Sequence, residues 1–208
     1  MIKNKCKICR RTGTKLFLKG ERCFSPKCAM VRKAYPPGLK AKRPKSLSEY
    51  GKELKEKQKL KNWYNLSEQQ FSAYVKKALK KRGKVEDAGT FLIKELESRL
   101  DNVIVRLGWA TSHSQAREMI SHGHFLINNR VVDIPSYKVK KKDKISIKPS
   151  SAKLKSFSDL SAKLKKYEVP SWLSVNKEKL ETEVIEEPVV DKENLPAEVS
   201  VIFEYYSR

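Results

Sequence analysis

The chain has 208 residues and carries 46 lysines and arginines against 24 aspartates and glutamates, a formal net charge of +22. Self-repulsion on that scale disfavours a compact protein unless a polyanion neutralises it, so nucleic acid is the expected partner. The sequence has no apolar stretch of about 18 residues and no lipidation signal, which argues against a membrane partner. Residues 1–50 hold 15 basic and 2 acidic side chains, so the positive charge is concentrated near the N-terminal end.

All four cysteines lie in the first 30 residues, in two close pairs. Cys6 and Cys9 form a C-x2-C pair, and Cys23 and Cys28 form a C-x4-C pair after thirteen intervening residues. Two such pairs can supply the four thiolates of a tetrahedral zinc site, and a site closed by four cysteines leaves no position for a catalytic water. We therefore predict a structural zinc. The cations around it are Arg10, Arg11, Lys15, Lys19, Arg22 and Lys27.

Two other uses of the cysteines stay open. Two disulfides would suit a small secreted domain, but residues 1–9 contain no apolar signal run, and so basic a chain suits the reducing cytosol better. An iron–sulfur cluster also takes four thiolates, yet a lysine-rich C-x4-C half does not match the usual cluster spacings.

The middle of the chain is predicted to be mainly helical. Tyr35-Pro36-Pro37-Gly38 breaks regular structure, and Ser46 to Tyr64 then reads as a helix with a thin apolar line. A second helix begins at Ser67, which forms a capping box with Gln70, and ends at Gly83. A third helical stretch is predicted from Phe91 to Leu107.

A helix and a hairpin follow. Ser112 and Gln115 repeat the capping-box spacing and open a short helix that ends at His122-Gly123. Phe125 to Ile127 and Arg130 to Val132 alternate as strands around an Asn128-Asn129 turn, where asparagine tolerates positive φ. A further strand is predicted from Lys144 to Lys148.

These residues resemble a known family. Leu96-Glu97-Ser98-Arg99-Leu100-Asp101-Asn102, the Ala116-Arg117 helix and His122-Gly123-His124 resemble the small RNA-binding module named after the fourth protein of the small ribosomal subunit. The cysteine pattern, Tyr35-Pro36-Pro37-Gly38 and the closing Phe203-Glu204-Tyr205-Tyr206-Ser207-Arg208 resemble the bacterial or organellar form of that ribosomal protein, in its zinc-binding version.

The resemblance implies an α+β fold in three parts. These are a zinc-binding basic arm or zinc knuckle at 1–45, a helical domain at 46–96 plus 176–208, and an inserted RNA-binding module at 97–175. The module has its core at 97–149, with two helices and an antiparallel β hairpin or sheet. The segment 198–206 is implied to be a helix, although its residues also alternate as a strand would. The acidic region 178–198 is expected to be a solvated loop, and a protein contact there is the alternative.

The resemblance also implies a function. The chain is expected to be a structural constituent of the small ribosomal subunit, in a bacterial or organellar ribosome, that binds ribosomal RNA early and nucleates assembly of the subunit body. Its implied partners are small-subunit ribosomal RNA, the neighbouring ribosomal protein five, at an interface that affects translational accuracy, and messenger RNA at the channel through which it enters. No small-molecule substrate is expected.

The candidate site residues follow. Zinc is assigned to Cys6, Cys9, Cys23 and Cys28. RNA contact is assigned to Arg10, Arg11, Arg22, Lys27, Arg32, Lys33, Lys40, Lys42, Arg43, Lys45, Arg99, Arg106, Ser112, His113, Arg117, His122, His124 and Lys138. For Lys40, Lys42, Arg43 and Lys45 the alternative is a solvated charge run, and for Arg99 and Arg117 it is ion pairing with Glu97, Asp101 or Glu118.

An enzyme is not expected. The three histidines lie within twelve residues, without a glycine-rich phosphate loop or a nucleophile elbow. The same module occurs as an appendage on pseudouridine synthases and tyrosyl-tRNA synthetases, but this chain has no room for their catalytic domains. The cysteine pattern and the helices of 46–96 argue against a heat-shock-type RNA-binding factor.

Overall fold

The computed structural model describes residues 4–38, 46–81, 87–154, 157, 160, 164, 167–176, 180–189 and 195–207. Its helices are α1 (Lys5–Thr12), α2 (Glu21–Phe24), α3 (Ala29–Arg32), α4 (Glu49–Trp63), α5 (Glu68–Lys80), α6 (Ala88–Glu97), α7 (Leu100–Arg106), α8 (His113–Ser121), α9 (Pro149–Ala152) and α10 (Val199–Ser207). Its strands are β1 (Phe125–Ile127), β2 (Arg130–Val131), β3 (Lys144–Ile147), β4 (Leu173–Asn176) and β5 (Glu181–Val184). None of the helices in these ranges has the length and apolar character needed to cross a bilayer.

The chain divides into two compact units, the first formed by residues 1–93 and 190–208 and the second by 94–189. The predicted insertion, 97–175, is shorter at its C-terminal end than this second unit. The physical reason is the pairing of β5 with β3, which keeps residues 181–184 in the sheet of the second unit.

The first unit is helical, and its helix starts are set by local hydrogen bonds. Ser48 Oγ accepts the Gly51 N–H at the start of α4. Ser67 and Gln70 form the predicted capping box at the start of α5, in which each side chain accepts the other residue's backbone N–H. The helices predicted at 46–64 and from Ser67 onward are confirmed as α4 and α5, while the predicted end at Gly83 lies outside the described residues.

The C-terminal helix α10 packs against α4 and α5. Ile202 is fully buried, and Tyr206 Oη donates a hydrogen bond of 3.0 Å to Glu68 on α5. Burial would raise the pKa of Glu68, but hydrogen bonds from Lys57, Lys61 and Tyr206 outweigh it and lower the pKa to about 2. The helical prediction for 198–206 is therefore confirmed, and the strand alternative is wrong.

The second unit contains one antiparallel sheet in the order β2-β1-β3-β5-β4. Asn128 and Asn129 form the turn that connects β1 and β2, with φ values of 49° and 64°, as the sequence predicts. Asn128 Nδ2 donates to Asp143 Oδ1 at 2.9 Å, and Asn128 Oδ1 accepts the Lys144 N–H at 3.0 Å. One asparagine side chain thus ties the hairpin to the start of β3.

The core of this unit lies between the sheet and helices α7 and α8. Trp109 stacks on Phe125, with ring centroids 5.9 Å apart, and Phe157 meets Phe125 edge to face. Ile104 and Ile120, from the two helices, are fully buried in the same cluster. Their burial holds α7 and α8 against the same hydrophobic core.

The predicted helix from Phe91 to Leu107 is wrong in one respect, because two helices occupy this stretch. α6 ends at Glu97 and α7 begins at Leu100, with Arg99 in an extended conformation that bridges to Lys138. The N–H groups of Leu100 and Asp101 donate to carbonyl oxygens of residues 137 and 135. The loop before β3 therefore replaces the helical hydrogen bonds that a continuous helix would have made.

The solvated loop expected in the acidic region is also wrong for part of its length. Residues 181–184 form β5, in which Thr182 and Val184 are buried and Glu181 and Glu183 point outward. Glu183 lies opposite Lys144 of β3. Glu187, just beyond the strand, forms an ion pair with Lys94. These pairs of opposite charge are the physical reason why the acidic strand β5 is stable beside β3.

Candidate RNA interface

The N-terminus of α8 lies beside α7 in the second unit. Ser112 Oγ accepts the Gln115 N–H at 3.4 Å, so its hydroxyl caps the helix. The Gln115 side chain accepts from Thr111 N–H and Oγ1 instead of completing a box with Ser112. The Ser112 cap is thus formed as the sequence indicates, but the capping box is not, and Ser112 is partly exposed at the helix start.

A buried ion pair holds the start of α7. Arg99 Nε and Nη2 donate to the two oxygens of Asp101 at 3.0 and 2.9 Å. Both residues are nearly inaccessible, at 3% and 1% exposure. Arg99 therefore forms an ion pair, which is the alternative to RNA contact. Its guanidinium lies inside the module rather than on an RNA-facing surface.

Arg117 of α8 approaches the same carboxylate from the other side. Its Nε donates to Asp101 Oδ2 at 2.7 Å, while its side chain remains 24% exposed. Burial would raise the pKa of Asp101, but the two guanidinium groups outweigh it and lower the pKa. Asp101 thus accepts from two arginines, of which Arg117 is the one that reaches toward solvent.

A second network of polar side chains lies close to Arg99, Asp101 and Arg117. Arg106 forms a bidentate pair with the buried carboxylate of Glu97, at 3.0 and 2.8 Å. Asn102 Nδ2 donates to the same carboxylate, and Asn102 Oδ1 faces His113 Nε2 at 3.0 Å. Because the Asn102 amide points its N–H groups at a carboxylate, its oxygen must accept, so His113 Nε2 carries the proton.

His113 is neutral at physiological pH in this position. Burial is the main cause that lowers its pKa to about 4, although the carboxylates of Asp101 and Glu97 oppose the shift. The predicted RNA contact of His113 would thus be a neutral hydrogen bond rather than an ion pair with phosphate. The side chain also helps orient Asn102.

The other two histidines lie where α8 passes into β1. Their rings are 5.9 Å apart, and His124 Nδ1 is 2.9 Å from Ser151 Oγ. Burial, His122 and Lys148 lower the pKa of His124. His122 is exposed and available for RNA contact, while His124 is partly committed to packing against Phe157.

Lys138, also predicted to contact RNA, is exposed and forms an ion pair with Glu95. Three neighbouring lysines are not among the predicted site residues. Lys140, Lys141 and Lys142 are all exposed in the loop that leads to β3. They are candidates for RNA contact because they are exposed, and the sequence alone does not reveal that exposure.

The N-terminal cations that the structure describes are mostly on the surface. Arg10 donates to the carbonyl oxygen of Tyr35 at 2.8 Å and lies over its ring, so it holds the Tyr-Pro-Pro turn. The other predicted contact residues of this region that the structure describes are all exposed: Arg11, Arg22, Lys27, Arg32 and Lys33. Lys40, Lys42, Arg43 and Lys45 lie outside the described residues.

The four cysteines are free thiols. Cys9, Cys23 and Cys28 are buried, Cys6 is half-buried, and the Lys19 N–H lies 3.4 Å from Cys23 Sγ. Burial raises the pKa of Cys9, and the other three thiols add to that shift. Four thiols of this kind are the donor set that zinc prefers. However, among the residues that the structure describes, no three His, Cys, Asp or Glu side chains are placed so that they could hold a metal ion, so the arrangement does not support the predicted zinc knuckle.

Comparison with known proteins finds a family match in each of the two units. Residues 1–96 match the family described as ribosomal protein S4/S9 N-terminal domain, and residues 98–145 match the S4 domain. The chain belongs to the ribosomal protein S4 family. Small ribosomal subunit protein uS4 of Halothermothrix orenii is 46% identical over 98% of this chain and 96% of that protein. The uS4 proteins of Caldicellulosiruptor bescii and Thermus thermophilus are 44% and 43% identical over the same shares.

The family assignment confirms the resemblance noted in the sequence, apart from the zinc-binding form. In this member of the ribosomal S4 family, the boundary between the two matched regions coincides with the break between α6 and α7. The S4 domain match covers α7, α8 and most of the first three strands. Strands β4 and β5 lie beyond that match, which explains why the module's motifs do not indicate them.

Proposed function

We propose that this chain is a structural, non-enzymatic component of the small ribosomal subunit and binds its ribosomal RNA. The observation that carries the proposal is similarity along nearly the whole length of proteins named small ribosomal subunit protein uS4. The net charge of +22 supports it independently, because ribosomal RNA is the polyanion that such a charge would neutralise. We place the protein on ribosomes in a bacterial cytoplasm or an organelle.

Recognition on this proposal rests on fixed cations rather than on reading bases in a groove. The major groove of folded RNA is too deep and narrow for side chains, so proteins contact phosphates, 2′-hydroxyls and shape. Asp101 and Glu97 hold Arg117 and Arg106 at set positions on α8 and α7. Side chains held in this way lose less entropy when they bind phosphate.

The test is to isolate the native protein with its RNA. Crosslinked RNA should be small-subunit ribosomal RNA, and the protein should sediment with small subunits. Affinity for that RNA should fall by orders of magnitude between about 50 and 200 mM salt, because bound phosphates release counterions. Crosslinking mainly to transfer RNA or messenger RNA, or binding that is insensitive to salt, would contradict the proposal.

We also propose the finer roles that the family resemblance implies. These are early binding that nucleates the subunit body, contact with ribosomal protein five that affects accuracy, and contact with messenger RNA where it enters. Addition of this protein to ribosomal RNA before the other proteins should speed their binding. Crosslinks to protein five and to messenger RNA in purified subunits test the other two contacts.

We propose, finally, that Cys6, Cys9, Cys23 and Cys28 hold a structural Zn²⁺. The support is chemical: four free thiols, three of them buried, with a backbone N–H directed at Cys23 Sγ. When bound, zinc would crosslink the two cysteine pairs and hold the exposed cations of residues 10–33 in register. Elemental analysis should find one zinc per chain, and a chelator should disorder residues 4–38 while leaving the second unit folded. A metal-free native protein would overturn this assignment.

A further inference from the structure

Two phenylalanine rings lie on the surface of the N-terminal region. Phe17 and Phe24 stack with centroids 4.9 Å apart and planes 29° apart. Phe24 is nevertheless 75% exposed. A ring that is covered on one face by another ring and is still this exposed must present its other face to solvent. The pair is thus a flat aromatic surface that the described fold leaves open.

The backbone holds this arrangement at a cost. Phe17 has a φ of +51°, a conformation that is a genuine outlier for a bulky side chain. Its neighbours Leu16 and Leu18 are buried, whereas Phe17 itself is 39% exposed. The strain therefore does not serve to bury the ring in a core. Strained residues of this kind concentrate at binding sites.

The ring pair lies in a strongly basic part of the chain. Lys15 Nζ lies over the ring of Phe17, 5.2 Å from its centroid, and 6.0 Å from the centroid of Phe24. Residues 4–38 contain ten lysines and arginines and a single acidic residue, Glu21. The expected occupant of the open ring face must therefore be polyanionic and also present a flat apolar surface. An unpaired nucleotide of RNA has both properties, since its base has a π-face and its phosphate is anionic.

We infer that Phe24, supported by Phe17, is a stacking platform for one extrahelical base of the bound ribosomal RNA, and that Lys15 pairs with a phosphate next to that base. The inference rests on the proposed ribosomal RNA binding and adds a contact that phosphate neutralisation alone does not require. It also gives the N-terminal region a preference for a bulge or loop over a plain duplex, because bases within a helix are not available to stack on a side chain.

The experiment compares full-length variants for binding to transcribed small-subunit ribosomal RNA at fixed salt. The test variants are Phe24→Ala, Phe24→Leu and Phe24→Trp, and the matched control is Val31→Ala, at an apolar residue of the same region that is 64% exposed. Phe24→Ala and Phe24→Leu should weaken binding by about 5- to 150-fold, which corresponds to the loss of one stacked base. Phe24→Trp and Val31→Ala should bind as the wild type does.

Two further readouts separate stacking from other effects. The salt dependence should be the same for all four variants, because none removes a charge. Ultraviolet crosslinking should join the peptide that contains residue 24 to one RNA base in the wild type and in Phe24→Trp, but not in Phe24→Ala. Circular dichroism should show that each variant keeps the wild-type fold, since the mutated side chains are exposed.

Three outcomes would overturn the inference. If the wild type binds the RNA and Phe24→Ala binds equally well, the platform is wrong while the proposed function stands. If Phe24→Leu binds as tightly as the wild type while Phe24→Ala does not, the contact is apolar packing, as with a protein partner, rather than base stacking. If the wild type itself does not bind the RNA, the proposed function fails and the platform fails with it.

Discussion

Arg99 and Asp101, two residues apart in sequence, form a bidentate ion pair that is almost completely removed from solvent. The pair lies at the junction where α6 ends and α7 begins. Its geometry depends on the extended backbone at Arg99, which turns the guanidinium back over the first turn of α7. Removing the charge of Asp101 would take a bidentate counterion away from a buried guanidinium.

Replacement of Asp101 by asparagine should therefore destabilise the chain strongly. The loss of unfolding free energy should be about 3–5 kcal/mol, because Arg99 would keep its charge in a buried position. Chemical denaturation measures it. Asp133→Asn, at an exposed carboxylate of the same unit, is the control and should change little. Equal denaturation midpoints for the two variants would contradict the importance of the buried pair.

Replacement of Arg117 by alanine should weaken binding to small-subunit ribosomal RNA by about 1–3 kcal/mol, if this arginine meets a phosphate. Asp101 keeps Arg99 as a partner, so the variant should remain folded at the temperature of the binding assay. Lys153→Ala removes an exposed cation of the same unit outside the predicted site and serves as the control. Equal effects from both variants would mean that net charge, rather than the placement of Arg117, sets affinity.

Acidification should destabilise the chain through His113. Its pKa is about 4 when folded and near 6.5 when unfolded, so the unfolded state binds the extra proton between these values. Stability is then full above about pH 6.5 and falls as the pH drops toward 4, by a total on the order of 3 kcal/mol. Denaturation curves from about pH 7.5 down to about pH 4.5 measure the loss. His113→Gln does not titrate and should show a shallower dependence in this window, and an unchanged pH dependence would count against the assignment.

The two asparagines of the hairpin turn should respond differently to glycine. Both have positive φ, so glycine fits either position without strain. Asn129→Gly should change the unfolding free energy little, whereas Asn128→Gly also removes two hydrogen bonds and should cost about 1–2 kcal/mol. Thermal unfolding of the two variants provides the comparison. Equal midpoints would show that the Asn128 side chain contributes nothing beyond its backbone conformation.

Much of the local structure follows from local chemistry, and the sequence therefore predicts it. Ser67 and Gln70 indicate the start of α5, and Asn128-Asn129 indicates the hairpin, because caps and turns depend on residues only a few positions apart. The family resemblance rests on similar short runs, and comparison with known relatives confirms it. The total charge likewise requires no structure to indicate a polyanionic partner.

Features that depend on long-range contacts could not be predicted from the sequence. The break at Arg99 depends on carbonyl groups of residues 135 and 137, and the acidic strand β5 depends on a register with β3. The sequence places Arg99 and Arg117 alike among basic candidates for RNA contact. Only the fold separates them, because it surrounds Arg99 with packed side chains and leaves Arg117 at the surface beside the same carboxylate. Charge is a property of composition, but the exposure of a charge is set by tertiary packing.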